Sequence, residues 1–317
     1  MMQTTTGPSA GLGAAVILAC GCGTDHRAAT DGVIASDQGV ISAVAAGHAG
    51  EAWWVRTGGT FELLRGTAGV LMDSAPFLDE APSTNTALLS VSAYGAAWSP
   101  PDRKRVRWAS EDGETQLQRE ATVTDLDAAN DLVVWTDHNA GTLTWARPSG
   151  GLSALAERNL EFASGVATDG TRTWVIERLA AVMWVYPTPG AEPTVAAQWL
   201  GDNTMDLTRG AADLFWWNHA TGELLALSKG ELRSVLTTAP MRHGALAAGE
   251  TLLFGVEALF GSPGDVTVWS ANREAGTPIV IHTAAPGCDP VIAALPGDGG
   301  VLIGDCDGVV RSVAAAP

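Results

Sequence analysis

Positive charge is scarce in this chain of 317 residues. Lys and Arg number 18 against 35 Asp and Glu, a formal charge of −17. General nucleic-acid binding needs phosphate neutralisation, so this balance excludes it. Long apolar runs are missing as well. No internal stretch reaches the roughly 18 residues of a membrane span, which excludes a polytopic membrane protein. Charged residues make up only 17% and hydrophobic residues 46%, so the chain has the apolar content to fold. Tyr and Phe are few, at 2 and 6, whereas Trp, normally the rarest aromatic, stands at 12. The sequence has no Gly-Lys-Ser/Thr phosphate loop, no Gly-x-Ser-x-Gly elbow and no His-Glu-x-x-His zinc motif.

The apolar stretch 10–19 ends at Cys20 and has the length of a signal-peptide core. Ile17-Leu18-Ala19-Cys20 resembles a bacterial lipobox, in which small residues precede a Cys that becomes lipidated and N-terminal. Residues 1–9 carry no Lys or Arg, where a signal ordinarily has a basic start. The expected division is a signal over 1–19, a lipidated Cys20 with its tether over 20–31, and a folded domain over 32–317. A disordered apolar tail is the plainer alternative. Export would place the protein in the bacterial cell envelope or outside it, where disulfides persist. Cys288 and Cys306 flank two strand-like runs joined by Pro296-Gly297-Asp298-Gly299, a turn signal. A hairpin there brings the two cysteines near each other, and a disulfide is plausible. Two free thiols or a metal site are the alternatives, and no Cys-x-x-Cys or nearby His favours metal.

The tryptophans mark a repeat. Trp98 and Trp108, Trp135 and Trp145, and Trp174 and Trp184 are each ten residues apart. Turn residues lie between them, most clearly Asp137-His138-Asn139-Ala140-Gly141. Such spacing predicts hairpins with paired indoles across the strands, since the i, i+3, i+4 recurrence of a helix is absent. Trp53, Trp98, Trp135, Trp174, Trp216, Leu252 and Leu302 mark one unit each, at intervals of about 40 residues, the length of a four-stranded propeller blade. Runs of small residues precede several hairpins, among them Ser42–Ala46, Ser90–Ala93, Ser164–Ala167 and Gly244–Ala248. They suit an innermost strand crowded near an axis. Gly151–Ala156, Thr194–Leu200, Arg233–Thr237 and Pro278–His282 suit the outer strand.

The expected fold is therefore all-β, a seven-bladed propeller of four-stranded blades. The last unit lacks its outer strand, and Gly32–Ala35 is positioned to supply it and close the ring. Six blades, eight blades or an open solenoid are the competing arrangements. All tryptophans except Trp199 fall on the second or third strand of a unit, so the Trp excess reads as packing between blades.

Val134-Trp135-Thr136-Asp137, followed by Gly141, Leu143 and Trp145, resembles the Tyr-Trp-Thr-Asp repeat of low-density-lipoprotein-receptor-type propellers. Ala167-Thr168-Asp169-Gly170 with Thr173-Trp174-Val175 is similar to the strand pair of NHL-like and related bacterial secreted propellers. The resemblance implies a propeller with ligands on one face, and no particular activity.

Propeller ligands commonly sit at the channel mouth, so the candidate residues come from turns there: Arg56, Asp137, His138, Glu177, Arg178, Asn218, His219, Asp305 and Asp307. His138 and His219 occupy like positions, and two imidazoles with carboxylates nearby could bind a divalent metal or act as acid and base. Asp, Asn and His are also what tight turns use, which is the stronger reading. Asp305-Cys306-Asp307-Gly308 and Gly201–Asp206 lack the full calcium-loop pattern. Arg103, Lys104, Arg105 and Arg107 form the one basic cluster; it reads as a solvated hairpin tip, with an anionic surface as the alternative target.

The function expected from the residues is an exported, lipid-anchored propeller without catalysis. It would be a monomer binding a protein or glycan of the envelope, touching membrane only through the anchor and needing no cofactor. The alternative is a lyase or hydrolase with a His- and Asp-lined mouth. Streptogramin lyases are seven-bladed enzymes, an analogy of fold alone.

Overall fold

The computed structural model describes residues 32–57, 61–67, 70–77, 87–137, 139–150, 152–155, 160–201, 204–237, 245–257, 266–274 and 276–315. Residues 1–31, with the expected signal, Cys20 and tether, lie outside these, as does His138.

The strands form seven four-stranded antiparallel sheets, six of them built from consecutive strands. The first blade runs Val40–Ala46, Ala52–Thr57, Phe61–Thr67 and Val70–Phe77, from the axis outward. The innermost strands of the next five are Leu88–Ser92, Val123–Ala129, Ala163–Thr168, Thr204–Arg209 and Leu246–Ala248. The seventh blade is composite. Val291–Ala294, Val301–Gly304 and Val310–Val313 come from the chain's end, and Gly32–Ala35 is the fourth strand. Gly32 pairs with Ser312, Val33 with Arg311 and Ala35 with Val310. Closure in this way ties the two ends together and leaves no open gap between blades. The expected fold and its closing strand are both present.

The apolar core is not central. It consists of seven clusters, one between each pair of neighbouring blades. Adjacent tryptophans serve different clusters because alternate side chains leave a strand on opposite faces. Trp53 packs towards the second blade and Trp54 towards the seventh. Trp216 packs towards the fourth blade and Trp217 towards the sixth, where it meets Trp269 edge-on at 6.0 Å.

The expected cross-strand indole pairs do not form. Trp135 pairs with Thr144, and Trp145 with Val134. Trp98 likewise faces Arg107, and Trp174 faces Val185. The turn after Asp137 is centred between residues 139 and 140 rather than on Ala140, because Asp137 pairs with Thr142. That half-residue shift sends the two indoles to opposite faces. Trp135 then seals the interface with the second blade and Trp145 the interface with the fourth.

Each blade's first strand runs from what we term the upper face to the lower. Turns between second and third strands, and the links between blades, therefore lie on the upper face. Turns between first and second strands lie on the lower.

Candidate functional site

The described turn residues expected at the mouth lie on the upper face, but mostly in local bonds. Asp137 Oδ1 accepts the N–H groups of Asn139 and Ala140, both at 3.0 Å. Asn218 Oδ1 accepts those of Ala220 at 3.1 Å and Thr221 at 3.4 Å. These are the turn-forming roles of short polar side chains. Arg56 forms an ion pair with Glu62 and donates to Gln38 Oε1 at 3.2 Å. Glu177 accepts the Glu161 N–H at 2.8 Å and the Trp184 indole N–H at 2.7 Å. Arg178 donates its backbone N–H to the Phe162 carbonyl at 3.1 Å.

Asp305 and Asp307 share Arg311, at 3.6 and 2.8 Å, and His282 Nε2 lies 2.8 Å from Asp305. Burial works to raise the Asp305 carboxyl. The bond and charge of His282, with the Arg311 charge and the Cys306 N–H, carry it below the usual carboxylate range. Cys288 and Cys306 form a disulfide with Cα atoms 5.6 Å apart, stapling this turn to the segment before the seventh blade's innermost strand. His219 Nε2 lies 3.0 Å from Asp206 Oδ2, at the channel rim. Among the described residues, no group of three or more His, Cys, Asp or Glu is arranged to hold a metal ion.

The channel itself is lined by residues absent from the expected set. Its upper part is a cavity of about 490 Å³; Ala128, Arg209 and Ala294 line both this cavity and a lower one of about 560 Å³. One wall is apolar, with Ala45 and Ala46 from the first blade, Leu246 and Ala247 from the sixth, and Val291 and Ile292 from the seventh. The facing wall carries Asp125, Asp127, Asp206, Arg103 and Arg209.

Asp125 and Asp127, two apart on Val123–Ala129, point the same way. Asp125 Oδ2 accepts the N–H of Val166, and Asp127 Oδ2 that of Thr168, both at 2.7 Å. They satisfy the free inner edge of the next blade. Ser90 does the same one blade earlier, accepting the Ala128 N–H at 3.0 Å and donating to Asp127 Oδ1 at 2.8 Å. Burial pushes Asp125 up to about 7; bonds from Val166 and Leu126 oppose this, and the charges of Asp127 and Asp206 add to it. Burial raises Asp127 as well, against bonds from Thr168, Ser90 and Ala128 and the charge of Arg209. Burial lowers Arg103, and the Asp125 charge opposes that.

Val123–Ala129 departs from the small-residue pattern expected of an innermost strand, carrying Asp125, Leu126 and Asp127 in its middle. Two carboxylates at i and i+2 in Thr124-Asp125-Leu126-Asp127 were its available signal. The basic cluster also dissolves. Arg103 turns to the channel and donates to the Thr124 carbonyl at 3.2 Å. Arg107 pairs with Glu114 at 3.1 Å and lies over the Trp98 ring.

Solved structures share this architecture. Virginiamycin B lyase from Staphylococcus aureus, crystallised with quinupristin in a catalytically inactive form, is similar at TM-score 0.64 and 11% identity, covering 90% of this chain and 99% of that one. The fold is a seven-bladed β-propeller. The WD40 repeats of RRP9 match at TM-score 0.64 and 9% identity, over 90% of this chain and 97% of that one. The computationally designed Ika8 protein matches at TM-score 0.56 and 13% identity, over 90% of this chain and 98% of that one. Identities this low show a common fold and nothing finer. No family model matches the sequence, and the search of curated proteins returned no match.

Proposed function

We propose that this propeller is an exported, lipid-anchored binding module, held by Cys20 and taking a protein or glycan ligand at the upper end of its channel without covalent chemistry. The resemblance to secreted propellers and the lipobox-like Ile17–Cys20 support the address. The observation that carries binding is the two-sided channel: an open space of about 490 Å³ with an aliphatic wall facing a charged one. Ligand sites commonly measure about 300–1,000 Å³ and combine apolar lining with a few convergent polar groups. Asp137 and Asn218, two of the expected mouth residues, are instead engaged in holding their own turns, and Glu177 holds the Glu161 N–H of the link between blades.

Capture from a cell-envelope extract by the immobilised full chain tests this reading. A protein or glycan retained by the wild type and lost from the Asp206→Asn, Arg209→Ala variant supports it. Equal retention by both removes the channel from the account. A second reading, an acid–base enzyme, is favoured by the His219–Asp206 contact at the mouth. Consumption of a small molecule by wild type, abolished by His219→Ala, would establish that reading in place of the first.

A further inference from the structure

Trp199 is the tryptophan that packing does not explain. It is 88% exposed, whereas the strand-borne tryptophans are buried or partly so. Leu179 at 63% and Phe162 at 48% are also exposed. All three occupy one edge. Phe162 precedes the fourth blade's innermost strand, Leu179 lies in the turn between Thr173–Glu177 and Val182–Tyr186, and Trp199 follows the outer strand Thr194–Gln198. The last rungs of the sheet join them, since Arg178 N–H bonds the Phe162 carbonyl and Leu200 N–H bonds the Ala181 carbonyl. Four strands at their usual spacing set Phe162 and Trp199 about 14 Å apart, with Leu179 between. The row exposes roughly 400 Å² of apolar surface, the size of patch that on monomeric proteins is often functional.

Phe162, Ala181 and Trp199 have φ of 59°, 50° and 64°. Side-chain-bearing residues, bulky aromatics above all, rarely adopt that left-handed backbone. The adjoining rungs hold it in place, and the aromatic residues gain no burial in return.

The row adjoins the channel mouth. Phe162 is two residues from Ser164, which lines the channel and donates to the Thr204 carbonyl at 2.8 Å. Thr204 Oγ1 in turn donates to the Leu200 carbonyl at 3.1 Å, and Asp206 follows two residues on. The Asp206 side chain is 39% exposed there, beside His219.

We propose that this edge and the mouth beside it dock a basic polypeptide segment, whose apolar side chains cover Phe162, Leu179 and Trp199 while a Lys or Arg reaches Asp206. The proposal rests on the binding reading above and names the class of partner. Charge complementarity selects the occupant. The chain carries −17, and Asp206, the channel carboxylate nearest the row, is partly exposed to an incoming cation. Beside the row, Glu161 is exposed and Arg178 half-buried. A second copy of the chain, or an anionic bilayer, would be repelled by the same field.

The test uses the full chain and a synthetic amphipathic Lys/Leu peptide without Trp, with a Glu/Leu peptide as its counterpart. Acrylamide quenching reads Trp199 directly, because it is the most exposed indole among the described residues. The Lys/Leu peptide should protect the exposed emission, and Trp199→Ser should abolish the effect. Anisotropy of labelled peptide should show affinity falling about tenfold in the Leu179→Ser, Trp199→Ser variant. Asp206→Asn should weaken binding several-fold and reduce its salt dependence. Unchanged affinity in the double variant, or equal binding of the Glu/Leu peptide, overturns the proposal. So does protection of Trp199 by phosphatidylcholine vesicles and not by peptide. If the double variant still captures the envelope ligand, the docking edge is refuted while the binding reading stands.

Discussion

Asp125→Asn isolates one proton held by the channel wall. Asp125 ionises near its ordinary value of 3.8 in the unfolded chain and at about 7 in the folded one. Between those values the folded protein keeps a proton that the unfolded chain has released. Stability from this group is therefore fully present below about pH 4, falls as pH rises through the window, and levels off above about pH 7. A difference of about three units at 1.36 kcal/mol each sets the ceiling at about 4 kcal/mol. Asn cannot ionise, and its carbonyl can keep the bond from the Val166 N–H. At pH 4 the variant should match the wild type or lie about 1 kcal/mol below it, from the one acceptor lost. At pH 8 it should be the more stable by up to about 3 kcal/mol. Asp127 and Asp206 face the same site and Arg103 adjoins it, and the repulsion from the two carboxylates is already part of that ceiling. Urea unfolding of both proteins from pH 4 to 8.5 gives the difference at each pH. A flat difference, or one that grows against the variant with rising pH, refutes the assignment.

Other perturbations test the frame around the site. Reducing Cys288–Cys306 opens a loop with a sequence separation of 18; loop entropy predicts a loss of about 3 kcal/mol, read as a lower urea midpoint in dithiothreitol. Arg273 is buried and joins Asp213 to the Glu250 carbonyl between the fifth and sixth blades. Its replacement by Ala should cost about 1–2 kcal/mol, since the Glu250 carbonyl loses its donor while Asp213 keeps the bond from Ser228, and an unchanged midpoint would show that the ion pair holds nothing. The Trp269 indole lies where a side chain at Gly255 would project. Gly255→Val should lower thermal stability by about 1–3 kcal/mol and perturb near-ultraviolet dichroism, whereas Gly210→Ala, where the nearest atoms stand further off, should do much less.

The periodic tryptophans and the small-residue runs before them announced blades because both report burial that is local to one repeat. Trp216-Trp217 can only be buried on both faces if a neighbour lies on each side. The missing outer strand of the last unit likewise pointed to Gly32–Ala35, since an unpaired edge must be met somewhere. Hairpin register was beyond this reasoning. A shift of half a residue in the turn after Asp137 decides which face each indole takes, and composition does not record it.

The site was less legible. None of the turn residues expected at the mouth lines the channel among the described residues; whether Asp137 or Asn218 faces a ligand or its own backbone depends on local geometry. The Asp125–Asp127 pair, Asp206 and Arg103 come from three different blades, and only ring closure brings them to one channel wall. The raised Asp125 shows the same dependence: burial and two carboxylates distant or adjacent in sequence act on it together. The sequence by itself determined the repeat, the strand order within each blade and the acidity of the whole. Tertiary structure decided which charges meet at the axis and which aromatic side chains, Trp199 foremost, are left facing solvent. Burial within a repeat is dictated by near neighbours, whereas convergence at an axis is set by all seven blades together.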